Sequence, residues 1–153
     1  MSEIKRILDQ MDRAFSGEAW HGPSLQAVIE GVSAEDASKH PVRNAHSIWE
    51  LVNHVAAWNS IVRRRLMGEV VAVTPEMDWP PVWEATDVAW KRSLEQLTEC
   101  RALLRKVVAG LADDQLGERV PDEEYTNYFM LHGLIQHDLY HAGQIAILKK
   151  ALR

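Results

Sequence analysis

Two histidines four residues apart carry the clearest chemical signal in this sequence. His137 and His141 lie in the segment Q-H-D-L-Y-H-A-G-Q, residues 136–144, within a long apolar-periodic stretch near the C-terminus. On an α-helix this spacing places both imidazoles on one face, one turn apart, where they can bind one divalent cation together. The spacing also arises by chance, so a metal site requires a third ligand from elsewhere in the chain.

A third histidine stands beside the apolar stripe of a second predicted helix. Ser47 and Glu50 match a capping box, which predicts that this helix begins at about Ser47. His54 follows within the helix, one turn before Trp58, and no other helix apart from the one that carries the pair has a histidine beside its core stripe. His54 is therefore the preferred third ligand.

The competing interpretation of His137 and His141 is a pair of hydrogen-bonded core histidines. They share one stripe of their helix with Met130, Leu134 and Leu148, so both are predicted to face the bundle interior. Each inward ring would then need its own buried partner, or the protein would lose stability. A shared ion would satisfy both rings, and helical bundles build metal sites from ligands on facing helices. We therefore favour the metal interpretation.

Several neighbours of these histidines are candidates for a pocket or for contacts that orient the ligands. Gly133 lies one turn before His137, where a missing side chain would leave room above the histidines. Gly143 falls near the opposite face and is expected to permit close helix packing. Asp138 is about 100° away from the ligand face, so it is expected behind the ligands or at the surface and not as a general base. The other candidates to rim or close the site are His21, Trp58, Tyr140 and Gln144.

The remaining reactive or charged side chains are expected to take no part in this chemistry. His132 is about 140° away from the ligand face around its helix and is interpreted as a core or interface residue. Cys100 is expected to be a buried, unreactive thiol. The arginines at positions 63–65 are expected to form a solvated helix end, where positive charge suits the helix dipole. His40 and His46 flank a loop and are predicted to be solvated.

Composition argues against several classes of partner. The 153 residues carry a net charge of −5 with Lys and Arg dispersed, whereas nucleic-acid binding needs a clustered basic surface. No apolar run approaches the ~20 residues of a membrane span, and the first residues lack the apolar core of a signal peptide. The lone Cys100 cannot form an internal disulfide and fits a reducing compartment. We expect a cytoplasmic protein with no nucleic-acid or membrane partner, folded as one domain over residues 1–153.

Helical periodicity dominates the chain and predicts an all-α fold. Four main helices are expected, with short extra helices in the first connection and no strand signal except at residues 70–73. Residues 69–81 contain three prolines and are predicted to be an irregular connection across the end of a bundle. These elements together favour a four-helix bundle. The predicted main helices span residues 2–16, 47–66, 83–111 and 126–152, the short pieces span 24–31 and 33–39, and one turn covers 113–116.

Three segments in this framework resemble the DinB/YfiT-like superfamily. Two of them are S-I-W-E-L-V-N-H-V-A-A-W, residues 47–58, and L-H-G-L-I-Q-H-D-L-Y-H-A-G-Q-I-A, residues 131–146. The third, A-W-H-G-P-S-L at residues 19–25, is similar to a stretch found early in many members. The resemblance therefore covers nearly the whole chain.

The resemblance implies a bundle of the DinB/YfiT type whose second and fourth helices bind a divalent metal. One histidine of the second helix and two of the fourth form the site, and in this sequence they are His54, His137 and His141. The chemistry of imidazole ligands favours Zn²⁺ or Ni²⁺ over Mg²⁺ or Ca²⁺. Homodimers are common in the superfamily, so the resemblance also implies a homodimer, for which the sequence itself has no signal.

The resemblance leaves more than one function open. The characterised enzymes of the superfamily are largely transferases and isomerases that use low-molecular-weight thiols, which makes transfer of such a thiol to a small electrophilic substrate the leading hypothesis. Three histidines leave at least one open position on the metal, as catalytic sites require. Hydrolysis by metal-bound hydroxide is the second hypothesis, and a non-catalytic metal-binding protein of a stress response is the third. Fold alone does not decide among them.

Overall fold

The computed structural model describes residues 1–153 and contains helices but no strand, which confirms the all-α prediction. Four helices are long and three are short. No helix combines the length and the hydropathy that a bilayer span requires. The helices are α1 (Glu3–Phe15), α2 (Leu25–Ile29), α3 (Ala34–Ser38), α4 (Ile48–Leu66), α5 (Pro75–Asp78), α6 (Asp87–Ala109) and α7 (Asn127–Ala151), with a 3₁₀ turn at Asp113–Gly117.

Each long helix begins after a Ser or Thr whose side chain accepts a backbone N–H of the first turn. Ser2, Ser47, Thr86 and Thr126 are the N-cap residues of α1, α4, α6 and α7. The predicted capping box at Ser47 is confirmed, since Ser47 Oγ accepts the Glu50 N–H at 3.1 Å and Glu50 Oε2 accepts the Ser47 N–H at 2.7 Å. Such caps contribute about 1 kcal/mol each, and they define where each long helix starts.

The four long helices surround a common interior. α4 packs against α6 and α7, and α1 packs against the same two helices, so α1 and α4 are diagonal to each other. α2 packs on α7 and α3 packs on α4. The buried apolar side chains form two clusters, one containing Trp49 and Ile145 and the other containing Met11 and Leu104. This arrangement makes α4 and α7 neighbours, which a site shared between them requires.

The connection between α4 and α6 differs from the prediction. It contains the unpredicted helix α5, and α6 begins at Asp87 instead of near Trp83. The Thr86 cap sets the later start, and the Pro80–Pro81 pair keeps the preceding backbone extended. Residues 70–73 form no strand, because no second extended segment pairs with them. The connection packs α5 against α4 and does not simply cross the end of the bundle.

Arg65 is buried, which contradicts its expected place in a solvated helix end. Its guanidinium donates to Glu123 Oε1 at 2.6 Å, to the Tyr125 hydroxyl at 2.7 Å and to the Val71 carbonyl at 3.2 Å. Position 65 follows Trp58 by two turns on the inward side of α4, so its side chain meets the segment that precedes α7. A buried charge is tolerated there because it is paired and hydrogen-bonded.

Candidate metal centre

Three histidines converge between α4 and α7. His54 comes from α4, and His137 and His141 come from successive turns of α7. His137 Nε2 lies 2.9 Å from His54 Nε2 and 3.1 Å from His141 Nε2. The three ligand atoms all lie within 4.8 Å of one another, and no other group of three His, Cys, Asp or Glu side chains does so. The structure thus brings together the three histidines that the sequence analysis selected.

Hydrogen bonds at Nδ1 orient two of the three rings. His54 Nδ1 donates to the backbone carbonyl of Asp78 at 2.6 Å, and His141 Nδ1 donates to Gln144 Oε1 at 2.6 Å. Because a carbonyl oxygen only accepts, both Nδ1 atoms carry the proton, and in the neutral rings both Nε2 atoms are unprotonated. Histidines that bind metals usually make such a contact through their other nitrogen.

The Nε2 lone pairs face one another without enough protons to satisfy them. A proton on His137 Nε2 could be donated to only one of its two neighbours, and His137 Nδ1 is itself buried without a hydrogen-bond partner. A cation at the centre would accept all three lone pairs, and neutral imidazole is a preferred ligand of Zn²⁺ and Ni²⁺. The donor set therefore fits a divalent metal ion.

Burial keeps the three rings in the form that binds metals. Loss of hydration lowers the pKa of His137 to about 3, with repulsion from His141 and His54 as further causes. Burial also lowers the pKa of His54, against the opposing effect of Asp78, and the pKa of His141, against the opposing effect of Gln144. The imidazoles are consequently neutral at neutral pH, as metal coordination requires.

Trp79 contributes a contact that the sequence analysis missed. Its ring stacks on His54 with centroids 3.8 Å apart and planes 8° from parallel, and it stacks on His46 with centroids 3.5 Å apart. Trp79 is therefore held between the two imidazoles and covers one face of the His54 ring. The sequence signal was an aromatic residue before the Pro80–Pro81 pair, which does not reveal the surface that the connection covers.

Asp78, at the end of α5, ties the same connection to α4. In addition to the backbone contact with His54, its Oδ1 accepts the Trp58 Nε1–H at 2.8 Å. The carboxylate also lies 3.3 Å from His54 Nδ1. One residue outside the four long helices thus holds two side chains of α4, a role that no local sequence pattern indicated.

A cavity of about 430 Å³ lies beside the histidines. Most of its wall is apolar, and the exposed rings of Phe129 and Tyr140 flank it. Cavities of this size accommodate small organic ligands. Its lining comprises His54, Trp58, Val62, Asp78, Tyr125, Phe129, Met130, Gly133, Leu134, His137, Tyr140 and His141.

Four of the six predicted neighbours are found at the site. Trp58, Gly133 and Tyr140 line the cavity, and Gln144 orients His141. A Cβ atom at Gly133 would meet no atom within 4 Å, so the free space expected there is present. The same is true of Gly143, and its expected role in close helix packing is therefore wrong.

His21 lies outside the site, contrary to the prediction that it rims the pocket. Its ring is exposed, and its Nε2 lies 3.2 Å from the Pro23 carbonyl. A backbone bridge between Ala19 and Gly22 closes a local turn. The turn faces solvent and keeps this histidine away from the cavity.

Asp138 is neither at the surface nor in contact with a site histidine. It is completely buried and pairs with Arg101 of α6, whose guanidinium also lies 4.5 Å from the centroid of the Phe15 ring. Burial raises the pKa of Asp138, and Arg101 opposes the shift. The 100° turn away from the ligand face thus directs this side chain into the interior between helices.

The other singled-out side chains lie away from the three Nε2 atoms. His40 and His46 are exposed, as predicted, although His46 also stacks on Trp79. His132 is half-buried with its ring 4.4 Å from that of Tyr128. Cys100 is half-buried rather than buried, and loss of hydration raises the pKa of its thiol. The raised pKa disfavours the reactive thiolate.

A family model described as the DinB superfamily matches residues 19–145, most of the chain. The match includes His54, His137 and His141. No curated protein and no solved structure matches the chain.

Proposed function

Because the chain belongs to the DinB superfamily, we propose that it is a divalent-metal-dependent enzyme that transfers a low-molecular-weight thiol to a small electrophilic substrate. His54, His137 and His141 would hold the ion, and the preference of imidazole ligands favours Zn²⁺ or Ni²⁺. The reacting partners are small molecules, and no macromolecular substrate is required.

One observation carries the proposal. Three imidazole Nε2 atoms converge at the wall of a cavity that can hold a small molecule. A structural metal site is normally closed by four protein ligands, whereas three ligands beside an open cavity are typical of a catalytic site. No fourth His, Cys, Asp or Glu side chain joins the group.

The residues of the chain have separable tasks in this function. The Asp78 carbonyl and Gln144 Oε1 hold His54 and His141 in the tautomer that leaves Nε2 free. Trp79 covers one face of His54 and shields it from water. The apolar cavity wall orients the substrate and excludes water from it. A divalent ion bound there would supply Lewis acidity that lowers the pKa of a coordinating thiol or water.

Metal content tests the first part of the proposal. Purified protein loaded with Zn²⁺ or Ni²⁺ and then dialysed is expected to retain about one ion per chain by elemental analysis. The His54→Ala variant is expected to lose the ion, whereas His132→Ala, which removes a histidine of α7 outside the cavity, should retain it. Equal metal retention by both variants would contradict the assigned site.

Turnover tests the reaction. Metal-loaded protein is incubated with a panel of biological thiols and model electrophiles, and loss of free thiol is followed. A rate that exceeds that of His54→Ala and requires both partners supports thiol transfer. Turnover of esters or amides without thiol would favour hydrolysis instead, and full metal occupancy without any turnover would favour a non-catalytic metal-binding protein.

A further inference from the structure

The cavity beside the three histidines is elongated, and its two ends differ chemically. Its wall follows α4 from His54 to Val62 and α7 from His141 back to Phe129. With a helical rise of about 1.5 Å per residue, these stretches are roughly 12 Å and 18 Å long. The histidines occupy one end, and Tyr125, which precedes α7, lies at the other. An extended ligand can therefore contact both ends.

Building on the function proposed above, we propose that Tyr125 is a specificity-determining residue whose hydroxyl donates a hydrogen bond to an oxygen atom of the electrophilic substrate. The substrate is an extended, mainly apolar molecule with this acceptor oxygen at the end opposite its reactive group. The reactive group lies at the histidine end of the cavity, where the thiol is held, and the apolar body lies along the wall.

The Tyr125 hydroxyl has a hydrogen to donate. Arg65 Nη1 lies 2.7 Å from its oxygen, and because a guanidinium only donates, the phenol oxygen is the acceptor in this contact. No protein atom accepts the hydrogen of the same hydroxyl. Burial raises the pKa of Tyr125, so the hydroxyl keeps its proton at neutral pH. One hydrogen of the cavity wall is therefore left for a ligand.

Arg65 makes this hydroxyl a stronger donor. It is only 5% exposed, and it also donates to Glu123 Oε1 at 2.6 Å and to the Val71 carbonyl at 3.2 Å. These bonds fix the guanidinium behind Tyr125. A cation that donates to a hydroxyl polarises its O–H bond, and consecutive hydrogen bonds strengthen one another. An acceptor oxygen gains more from Tyr125 than from an isolated phenol.

The other donors of the wall are engaged or lie at the histidine end. The Trp58 Nε1–H donates to Asp78 Oδ1 at 2.8 Å. Tyr140 is 66% exposed, and its ring centroid lies 5.1 Å from that of His141. The side chains between the two ends are apolar and include Val62, Met130 and Leu134. Away from the histidines, only Tyr125 can therefore recognise a polar atom of the substrate by donating to it.

The test measures binding of two series of hydroxamic acids to Zn²⁺-loaded protein by calorimetry. One series has plain alkyl chains, and the other has chains of the same lengths with a ketone next to the terminal methyl group. The hydroxamate binds the ion, and the ketone oxygen is the acceptor for Tyr125. We expect the ratio of ketone to alkyl affinity to peak at the chain length that spans the cavity. A ratio that is the same at every length would overturn the proposal.

Two tyrosine variants assign the peak to one hydroxyl. Tyr125→Phe is expected to lower the affinity ratio at the peak about three- to tenfold, the range of one net hydrogen bond, with little change for the alkyl probe. Tyr128→Phe removes a hydroxyl from α7 outside the cavity and should leave the ratio unchanged. A purely structural role of Tyr125 would weaken both probes equally, and an unchanged ratio in Tyr125→Phe would overturn the proposal.

The same measurements separate this proposal from the proposed reaction. A lowered ratio in Tyr125→Phe without any thiol transfer by the wild type would reject the reaction and leave the role of Tyr125 standing. Thiol transfer with an unchanged ratio would reject the role of Tyr125 alone.

Discussion

Two adjacent residues of α7, His137 and Asp138, belong to polar clusters of opposite character. Asp138 faces Arg101 of α6, and the two opposite charges form a pair within the protein. His137 faces His54 and His141, and the three rings present lone pairs to one another with no charge to balance. One cluster contains its own partner, whereas the other needs a cation from outside.

The Arg101–Asp138 pair is a structural use of buried polar side chains, and the three histidines are a functional one. Both clusters lie within the same bundle, with Asp138 completely buried and His137 partly buried at the wall of the cavity. What differs is the sign of the groups that meet, because a guanidinium with a carboxylate is complementary and three imidazole acceptors are not. Asp138 Oδ1 and the Arg101 Nε and Nη1 atoms still lack hydrogen-bond partners, so it is the balance of charge that distinguishes this cluster. A buried cluster whose charges balance holds helices together, and a cluster of acceptors alone is a candidate for binding a cation.

Breaking the self-contained cluster should produce the largest loss of stability. Asp138→Asn leaves the Arg101 charge buried without its counter-charge, and such a change typically costs about 3–5 kcal/mol. Chemical denaturation of the metal-free protein measures the loss. The double variant Arg101→Met, Asp138→Leu should recover most of it, because no uncompensated charge then remains. A loss below about 1 kcal/mol for the single variant would show that the pair is not a determinant of stability.

Supplying the missing cation should stabilise the other cluster. Zn²⁺ at a free concentration of about one hundred times its Kd is expected to raise the free energy of unfolding by about 2.7 kcal/mol. His141→Ala should lose this gain, and the Arg101→Met, Asp138→Leu double variant should keep it, because its changes leave all three imidazoles in place. Thermal unfolding with and without metal distinguishes these outcomes. A gain lost in both variants would mean that the two clusters are coupled.

A smaller effect is expected from the residue that orients one ligand. Gln144→Leu removes the acceptor of the His141 Nδ1 proton and should weaken metal binding about 10- to 100-fold, as is usual for such contacts. Gln144→Glu keeps an acceptor and should retain binding. Gln136→Leu makes the same change at an exposed position of α7 and serves as the matched control. Competition with a chromogenic chelator measures the affinities, and equal values for the two leucine variants would exclude an orienting role.

The smallest effect on stability is expected at Asp113, a surface carboxylate that accepts hydrogen bonds from backbone N–H groups. Asp113 accepts the N–H groups of Ile4 and Glu3, and these bonds lower the pKa of its side chain. A lowered pKa in the folded state means that the stabilisation is present above the unfolded value of about 3.9 and is lost as the pH falls through the folded value.

Asp113→Asn should therefore reduce stability at neutral pH and flatten the dependence of stability on pH below about 4. Urea denaturation at several pH values measures the profile. Asp114 makes no hydrogen bond to α1, so Asp114→Asn should show the same dependence of stability on pH as the wild type. A profile of Asp113→Asn that coincides with that of the wild type would show that the bonds from Asp113 to Glu3 and Ile4 contribute nothing measurable.

Much of the architecture was readable from local patterns. The Ser47 capping box and the helical period of apolar residues predicted where α4 and α7 run. Spacing alone then placed His137 and His141 on one face, because the helical repeat is a property of the backbone and needs no knowledge of neighbours. These features depend on residues within a few helical turns of one another, so their spacing can be read directly from the sequence.

The contacts that complete the site required the tertiary structure. Trp79 and Asp78 reach His54 because the connection between α4 and α6 folds back onto α4, and no periodicity describes the path of an irregular segment. The partner of Asp138 could not be predicted from local sequence either, because Arg101 is 37 residues away and only the packing of α6 brings the two side chains together.

The sequence by itself therefore determined the four long helices, the starts of α1, α4 and α7, and the pair of ligands on α7. The tertiary structure decided which polar groups found complementary partners and which were left facing one another. The physical reason is that helix formation follows from local geometry, whereas the balance of charge and hydrogen bonding inside a bundle depends on which helices become neighbours.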